Sequence, residues 1–307
     1  MNNQTNEFKT KIAIVTGGSR GIGKEICLQF AKQGSNIIFN YARHHKEAKD
    51  TQDEILKYGV NCDVIKCNLN EEQQIINFFK EINSKYKKVN YLINNAASGV
   101  QKLASELQTK HWDWTLNINA KAPWLCSVEA SKLMKDGGSI INISSLGSKK
   151  VLPYYFSVGT SKAALETITK YLAVEFAEKK INVNAISAGL VETDALKSFP
   201  NKKNMISNSL NNPSGRSLTK TDIANLAIFL CSKKSEMIYK FLFLIFVVVG
   251  ASISLGAVLV FSDMMILAMS FPNIIGLYIM SGEVREDLRE YFKKVKSGDL
   301  FVKGKTA

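Results

Sequence analysis

The chain has 307 residues, 46% of them apolar, enough to bury one large α/β core or two smaller ones. Its formal net charge is +13, of which +12 lies in residues 1–240. A surface of that sign suits an acidic partner, a membrane face or nucleic acid, but no RNA- or DNA-binding motif accompanies it, and nucleic acid is not expected. Cys27, Cys62, Cys67, Cys126 and Cys231 form no C-x-x-C pair and have no histidine at metal-ligand spacing. That excludes a zinc module, predicts no metal, and suits reduced thiols. The opening MNNQTNEFKTK has no apolar core, so no secretory leader is expected.

In chain order, an Ile/Val run at 11–16 predicts a first strand. TGGSRGIG follows at 16–23 and opens a helical pattern at 24–33. Glycines between a strand and a helix permit a tight turn, let the backbone approach a pyrophosphate, and aim a helix N-terminus at it. A second strand at 36–41 runs into Asn40-Tyr41-Ala42-Arg43. An NAD site usually has an acid there for the ribose 2′-hydroxyl, and none is present. Arg20 and Arg43 can instead meet a 2′-phosphate, which points to NADPH. Two ordinary surface arginines are the plainer alternative.

Helical patterns at 46–58, 71–85 and 161–179 alternate with strand patterns at 63–67, 91–94, 139–144 and 181–186. The strands are continuous apolar runs, the pattern of parallel strands covered on both faces. The fold class expected is α/β: a Rossmann-type doubly wound parallel sheet over residues 1–238, lacking its last strand. Residues 239–307 form a second segment. Residues 241–262 and 264–282 carry no charged side chain, and each run is about the length that spans a hydrocarbon core. With lysines and arginines on both flanks, they predict a transmembrane hairpin with both ends cytoplasmic, tethering a cytoplasmic domain to the cytoplasmic membrane.

TGGSRGIG, Asn94-Asn95-Ala96-Ala97, Asn119 in LNINAK, INISSLGS and SKAALE occur in an order that resembles short-chain dehydrogenases/reductases over residues 10–236. Most such enzymes carry Tyr-x-x-x-Lys, but four residues before Lys162 stands Val158, which has no hydroxyl. Seven residues before it stands Tyr155, on the same face of a helix. That Tyr-x6-Lys spacing, with NNAASGV, HWDWTLNINAKA, VGTSKAALE and TDALKSFPN, resembles the type III, NADPH-dependent enoyl-acyl-carrier-protein reductases of bacterial fatty-acid synthesis.

The resemblance implies a set of roles. Tyr155 would stabilise the substrate oxyanion, with neighbouring Tyr154 as an alternative. Lys162 would hold the cofactor ribose and add positive charge near the phenol. Ser145 would orient groups, and Asn119 would support the lysine. Gly17, Ser19, Arg20, Gly21, Ile22, Gly23, Arg43, Asn68, Leu69, Asn95, Ala96, Val191 and Thr193 would line NADPH, together with Tyr155 and Lys162. The implied partner is acyl carrier protein bearing an enoyl thioester, and the family is usually homo-oligomeric.

Trp112, Trp114 and Trp124 are read as substrate wall or, more simply, core. His44, His45 and His111 are given no role. Past Tyr239, FVVVGASISLGAVLVF and SFPNIIGLYIMSGEVREDLREYFKK resemble the end of sodium:alanine symporters. The alternatives are therefore a reductase of other carbonyl or enone substrates, or an inactive chimera ending in a symporter fragment.

Overall fold

The computed structural model describes residues 6–191 and 216–235. The expected hairpin at 241–282 and Thr193 lie outside these residues. Among the described residues no helix is long and apolar enough to cross a membrane. The chain divides into two units, Met1–Ile238 and Tyr239–Ala307, and every described residue belongs to the first.

Strands β1 (Ile12–Val15), β2 (Asn36–Tyr41), β3 (Cys62–Lys66), β4 (Tyr91–Asn94), β5 (Gly138–Ser145) and β6 (Ile181–Ala188) make one sheet in the order β3-β2-β1-β4-β5-β6. Every pairing is parallel. The six runs expected from the sequence are these six strands, β5 and β6 extending further at their C-terminal ends than the apolar pattern did. No strand follows β6 among the described residues.

Alternate residues of each strand feed different cores, because side chains on a strand point to opposite faces. Ala13 and Val15 of β1 join Ile37, Phe39, Ile93 and Ile141 on one face. That face is covered by α1 (Gly21–Lys32), α2 (His45–Leu56) and α7 (Lys220–Cys231). Ile14, Ile38, Leu92 and Ile140 point the other way. They meet α3 (Glu72–Lys85), α5 (Ala122–Leu133) and α6 (Phe156–Glu175). The result is three layers, helices on both sides of the sheet, which explains why the strands read as unbroken apolar runs. All five cysteines are free and buried within these layers.

A further helix, α4 (Thr109–Leu116), runs into α5 through a π turn at Asn117–Lys121. Pro123 explains the turn. It has no N–H to return to the Asn119 carbonyl four residues earlier, and its ring crowds that carbonyl. The backbone widens and the Ala122 N–H reaches the Asn117 oxygen instead.

Helix α7 begins at a reciprocal cap. The Asp222 N–H donates to Thr219 Oγ1 at 3.2 Å, and the Thr219 N–H donates to Asp222 Oδ2 at 2.9 Å. Arg216 pairs with both carboxylate oxygens of Asp222 and holds that carboxyl well below its usual range. Ile223, Ala224 and Ala227 are buried in the core that α7 shares with α1.

Candidate active site

The strand order reverses between β1 and β4. The loops leaving these strands go to helices on opposite faces, which opens a crevice at the C-terminal ends of the strands. The TGGSRGIG loop lines one side. Gly17 and Gly21 have φ of 66° and 61°, a region that favours glycine. A β-carbon on Gly23 would lie 2.3 Å from the Gly17 oxygen, whereas one on Gly21 would meet nothing within 4 Å. The loop is therefore closed beneath and open above. Helix α1 starts at Gly21 with Arg20 at its N-cap and no side chain capping the first turn, leaving those N–H groups for an anion.

Side-chain amides, one buried and one half-buried, brace the loop. Asn40 Oδ1 accepts the Gly17 N–H at 3.0 Å, while its Nδ2 donates to the Cys67 carbonyl at 2.9 Å. Asn95 Nδ2 donates to the carbonyls of Thr16 and Gly17 at 2.9 and 3.2 Å. The N–H groups of Asn95 and Ala96 both donate to Thr16 Oγ1 at 3.0 Å. From α2, the Thr51 hydroxyl donates to the Ser19 carbonyl at 2.9 Å. One amide from β2 and one from the loop after β4 thus hold the glycine loop from either side.

The second half of the crevice is built by β5 and α6. Tyr155 is not inside the helix, as the spacing argument assumed, but is the residue that caps it, with φ −105° and ψ 14°. Its hydroxyl donates to Ser145 Oγ at 3.2 Å, and the Gly147 N–H donates to the same oxygen at 3.3 Å. Burial pushes the Tyr155 phenol above its ordinary value, against the smaller opposing effect of Ser145, so it stays protonated at neutral pH. Lys162 is 5% exposed, and its Nζ donates to the Ile143 carbonyl at 2.7 Å. Burial brings Lys162 down to about 8. A protonated phenol and a buried amine, bonded to β5 residues two positions apart, can donate a hydrogen bond to a developing oxyanion beside positive charge.

Asn119 is fully buried and does not reach Lys162 through any direct bond. Its Oδ1 accepts the Ser98 N–H at 2.8 Å, and its Nδ2 donates to the Ser98 carbonyl at 2.8 Å and to Ser161 Oγ at 2.9 Å. It ties the loop after β4 to the residue preceding Lys162. Val158 fills the place four residues before Lys162. A β-carbon on Gly99 would come within 2.3 Å of Val158 Cγ2, so this valine lies directly over the Gly99 backbone.

Tyr154 is 38% exposed, and the hydroxyl at Ser145 belongs to Tyr155. Asn68 and Leu69 follow β3; the Asn68 amide is engaged by Glu71 at 2.7 Å, and Leu69 is buried in the core. Val191 is buried and bridges to Leu218. Arg20 and Arg43 are exposed at the C-terminal edge of the sheet. Among the tryptophans, Trp124 is exposed rather than core, and the Trp112 ring lies 5.6 Å from that of Phe156, tilted by 33°.

Asn40 and Gly147 were not singled out in the sequence. An asparagine in an otherwise apolar buried strand was the available signal for the first. For the second there was none beyond its place in SSLGS. A β-carbon on Gly147 would sit 2.5 Å from the Tyr155 ring carbons.

Residues 17–239 match the family model described as enoyl-(acyl carrier protein) reductase, and residues 220–303 match the sodium:alanine symporter family. The two matches overlap, and within the overlap α7 packs on α1 in the first unit. The chain is 33% identical over 233 residues to a 3-oxoacyl-(acyl-carrier-protein) reductase of Staphylococcus aureus, covering 75% of this chain and 94% of that one. It is 32% identical over 197 residues to the 1-cyclohexenylcarbonyl-CoA reductase of Streptomyces collinus, covering 64% and 70%. A short-chain dehydrogenase/reductase variant of Serratia marcescens superposes with TM-score 0.71 at 26% identity, covering 76% of this chain and 94% of that one. An angucycline C-6 ketoreductase with bound NADP superposes at 0.70 and 27%, covering 76% and 92%.

Gly147→Ala is expected to drive a methyl group into the Tyr155 ring and to destabilise the fold by about 1–3 kcal/mol, measured by denaturant unfolding. Lys162 carries a pH signature. Between about pH 8 and 10.5 the unfolded chain holds a proton on Lys162 that the folded chain has shed, so stability attributable to this group rises with pH across that window. Lys162→Met removes the buried charge. Its stability relative to the parent chain is expected to be highest near neutral pH and to decline as pH approaches 10.5. A difference independent of pH would contradict the assignment.

Proposed function

The chain belongs to the short-chain dehydrogenase/reductase family, and on that premise we propose that it reduces the 2,3 double bond of enoyl thioesters carried by acyl carrier protein. Its cofactor is NADPH. The crevice fits that group: the open face over Gly21, the uncapped start of α1 and the bracing amides make a cradle for a pyrophosphate. Arg20 and Arg43 would meet the 2′-phosphate, and Lys162 would hold the ribose hydroxyls. When bound, NADPH supplies the hydride.

The observation that carries the enoyl reading is the pair Val158 and Tyr155. A ketoreductase places its acid against the oxygen of the carbon that receives hydride. In an enoyl thioester hydride goes to the β-carbon, and negative charge gathers on the thioester oxygen further along the substrate. The phenol is displaced accordingly: methyl groups of Val158 fill the nearer place over Gly99, and the hydroxyl is presented three residues earlier, at the cap of α6. There Tyr155, its proton resting on Ser145 Oγ, turns its donor to the enolate oxygen. Lys162 would keep positive charge nearby and stabilise the negative charge that gathers on the enolate oxygen. A proton taken from solvent at the α-carbon completes the reduction, with the Tyr155 hydroxyl retaining its own.

A second reading, reduction of a 3-oxoacyl thioester, is favoured by the Ser145–Tyr155 hydrogen bond at 3.2 Å, an arrangement equally able to polarise a ketone. The basic surface suits an acidic carrier protein in either case.

Crotonyl and acetoacetyl thioesters, offered in turn to the full chain with NADPH, separate the readings by cofactor oxidation. Crotonyl turnover is expected to dominate, and acetoacetyl turnover alone would overturn the proposal. Tyr155→Phe is expected to lower kcat by about 10²–10³, the usual loss of one oxyanion donor, with NADPH affinity retained. Asn40→Ala is expected to do the opposite. It frees the Gly17 loop and weakens NADPH binding by roughly tenfold, the effect of a lost buried hydrogen bond, while kcat at saturation changes little; a titration of NADPH binding measures it.

A further inference from the structure

A single stripe of α6, extended by its cap, addresses β5 and the turn beyond it almost residue by residue. Thr169 Oγ1 accepts from Asn142 Nδ2 at 2.8 Å. Lys162 donates to the Ile143 carbonyl, and Tyr155 donates to Ser145. A β-carbon on Gly159 would lie 2.8 Å from the Gly147 oxygen, so backbone meets backbone there. In the middle of the stripe, one turn beyond Lys162, stands Glu166. Its Oε1 accepts the Ser144 hydroxyl at 2.8 Å and the Ser148 hydroxyl at 2.6 Å. These two serines bracket the Ser145–Gly147 segment that touches the Tyr155 ring and hydroxyl.

Ser145 ends β5, where it pairs with Ala188 of β6, and the chain then makes a single 3-10 turn at Leu146–Ser148. Leu146 is 40% exposed, so hydrogen bonds and close packing on α6, rather than a side chain buried in the core, hold the turn. Ser148 Oγ also approaches the Ser145 carbonyl at 2.8 Å, but the carboxylate is the nearer and the charged acceptor.

We infer that Glu166 is a positioning residue for Tyr155: by clamping Ser144 and Ser148 to α6 it fixes Ser145 Oγ against the phenol and Gly147 beneath its ring. The inference rests on the role given to Tyr155 under the proposed function. Glu166 acts through geometry, one carboxylate oxygen holding both hydroxyls. An amide oxygen at the same position would accept the same two hydroxyls.

The test compares Glu166→Ala, Glu166→Gln and the milder Ser148→Ala in the full chain. Glu166→Ala is expected to lower kcat by about tenfold or more, each tenfold being ~1.4 kcal/mol of barrier, while KM and the NADPH dissociation constant change little. Ser148→Ala moves kcat in the same direction by less, and Glu166→Gln restores most of the parent rate with an unaltered pH profile. In a Tyr155→Phe background, Glu166→Ala adds no further loss, because the clamp works through the phenol.

Hydrogen exchange supplies a readout independent of turnover. Amides of residues 145–150 exchange faster in Glu166→Ala, while those of β5 and the rest of α6 keep their protection. A parent-like kcat in Glu166→Ala, a Glu166→Gln variant as slow as the alanine, additivity with Tyr155→Phe, or unchanged exchange in the turn would each overturn the inference. A parent chain that reduces no thioester sinks the proposed function instead, and the exchange experiment then decides the clamp by itself.

Discussion

A parallel sheet covered on both faces by helices leaves this chain one place for polar chemistry, the C-terminal ends of its strands. Every residue within β1 and β4 is either buried or at the margin of burial, and their side chains are divided between two apolar cores. Polar groups inside such layers are costly unless satisfied. Asn40, Asn94 and Asn142 lie in strands and are almost wholly buried, and each makes hydrogen bonds at or near a strand's C-terminal end. The crevice follows from this constraint combined with the reversal of strand order between β1 and β4.

The same amides make the site rigid. Asn40 in β2 and Asn95 just after β4 grip the glycine loop, so the loop cannot open without breaking bonds on both sides. Asn119 does the equivalent for the loop after β4, holding Ser98 by both its backbone groups while reaching Ser161 beside Lys162. The π turn imposed by Pro123 sets where Asn119 points along the α4–α5 rod. Rigidity of this kind favours chemistry in which donors are already aimed before charge develops.

At its C-terminal side the chain carries two resemblances that share residues. Helix α7 settles to which unit the first of those shared residues belong, since Ile223, Ala224 and Ala227 are buried with α1 and the cap at Thr219–Asp222 starts the helix cleanly. The boundary between units at Ile238 and Tyr239 falls just beyond it. The apolar runs at 241–262 and 264–282 and Thr193 lie outside the described residues, and the hairpin remains an expectation from composition.

The amino-acid sequence by itself determined the six strands, the glycine loop, and the spacing that puts Val158 four residues, and Tyr155 seven residues, before Lys162. These are short-range patterns: apolar runs, glycines where the backbone turns left-handed or packs close, and a spacing within one helix and its cap. It did not reveal α4, the π turn, Asn40's grip on Gly17, or the Glu166 clamp. Nor did it show that Gly147 is needed beneath the Tyr155 ring or that Trp124 is exposed. The Asn40 grip and the Glu166 clamp depend on how β2 registers against β1 and how α6 lies across β5, which bring together residues some 18 to 23 positions apart. Only packing of the layers decides such partners, because no local propensity distinguishes a serine that meets a carboxylate from one that meets water.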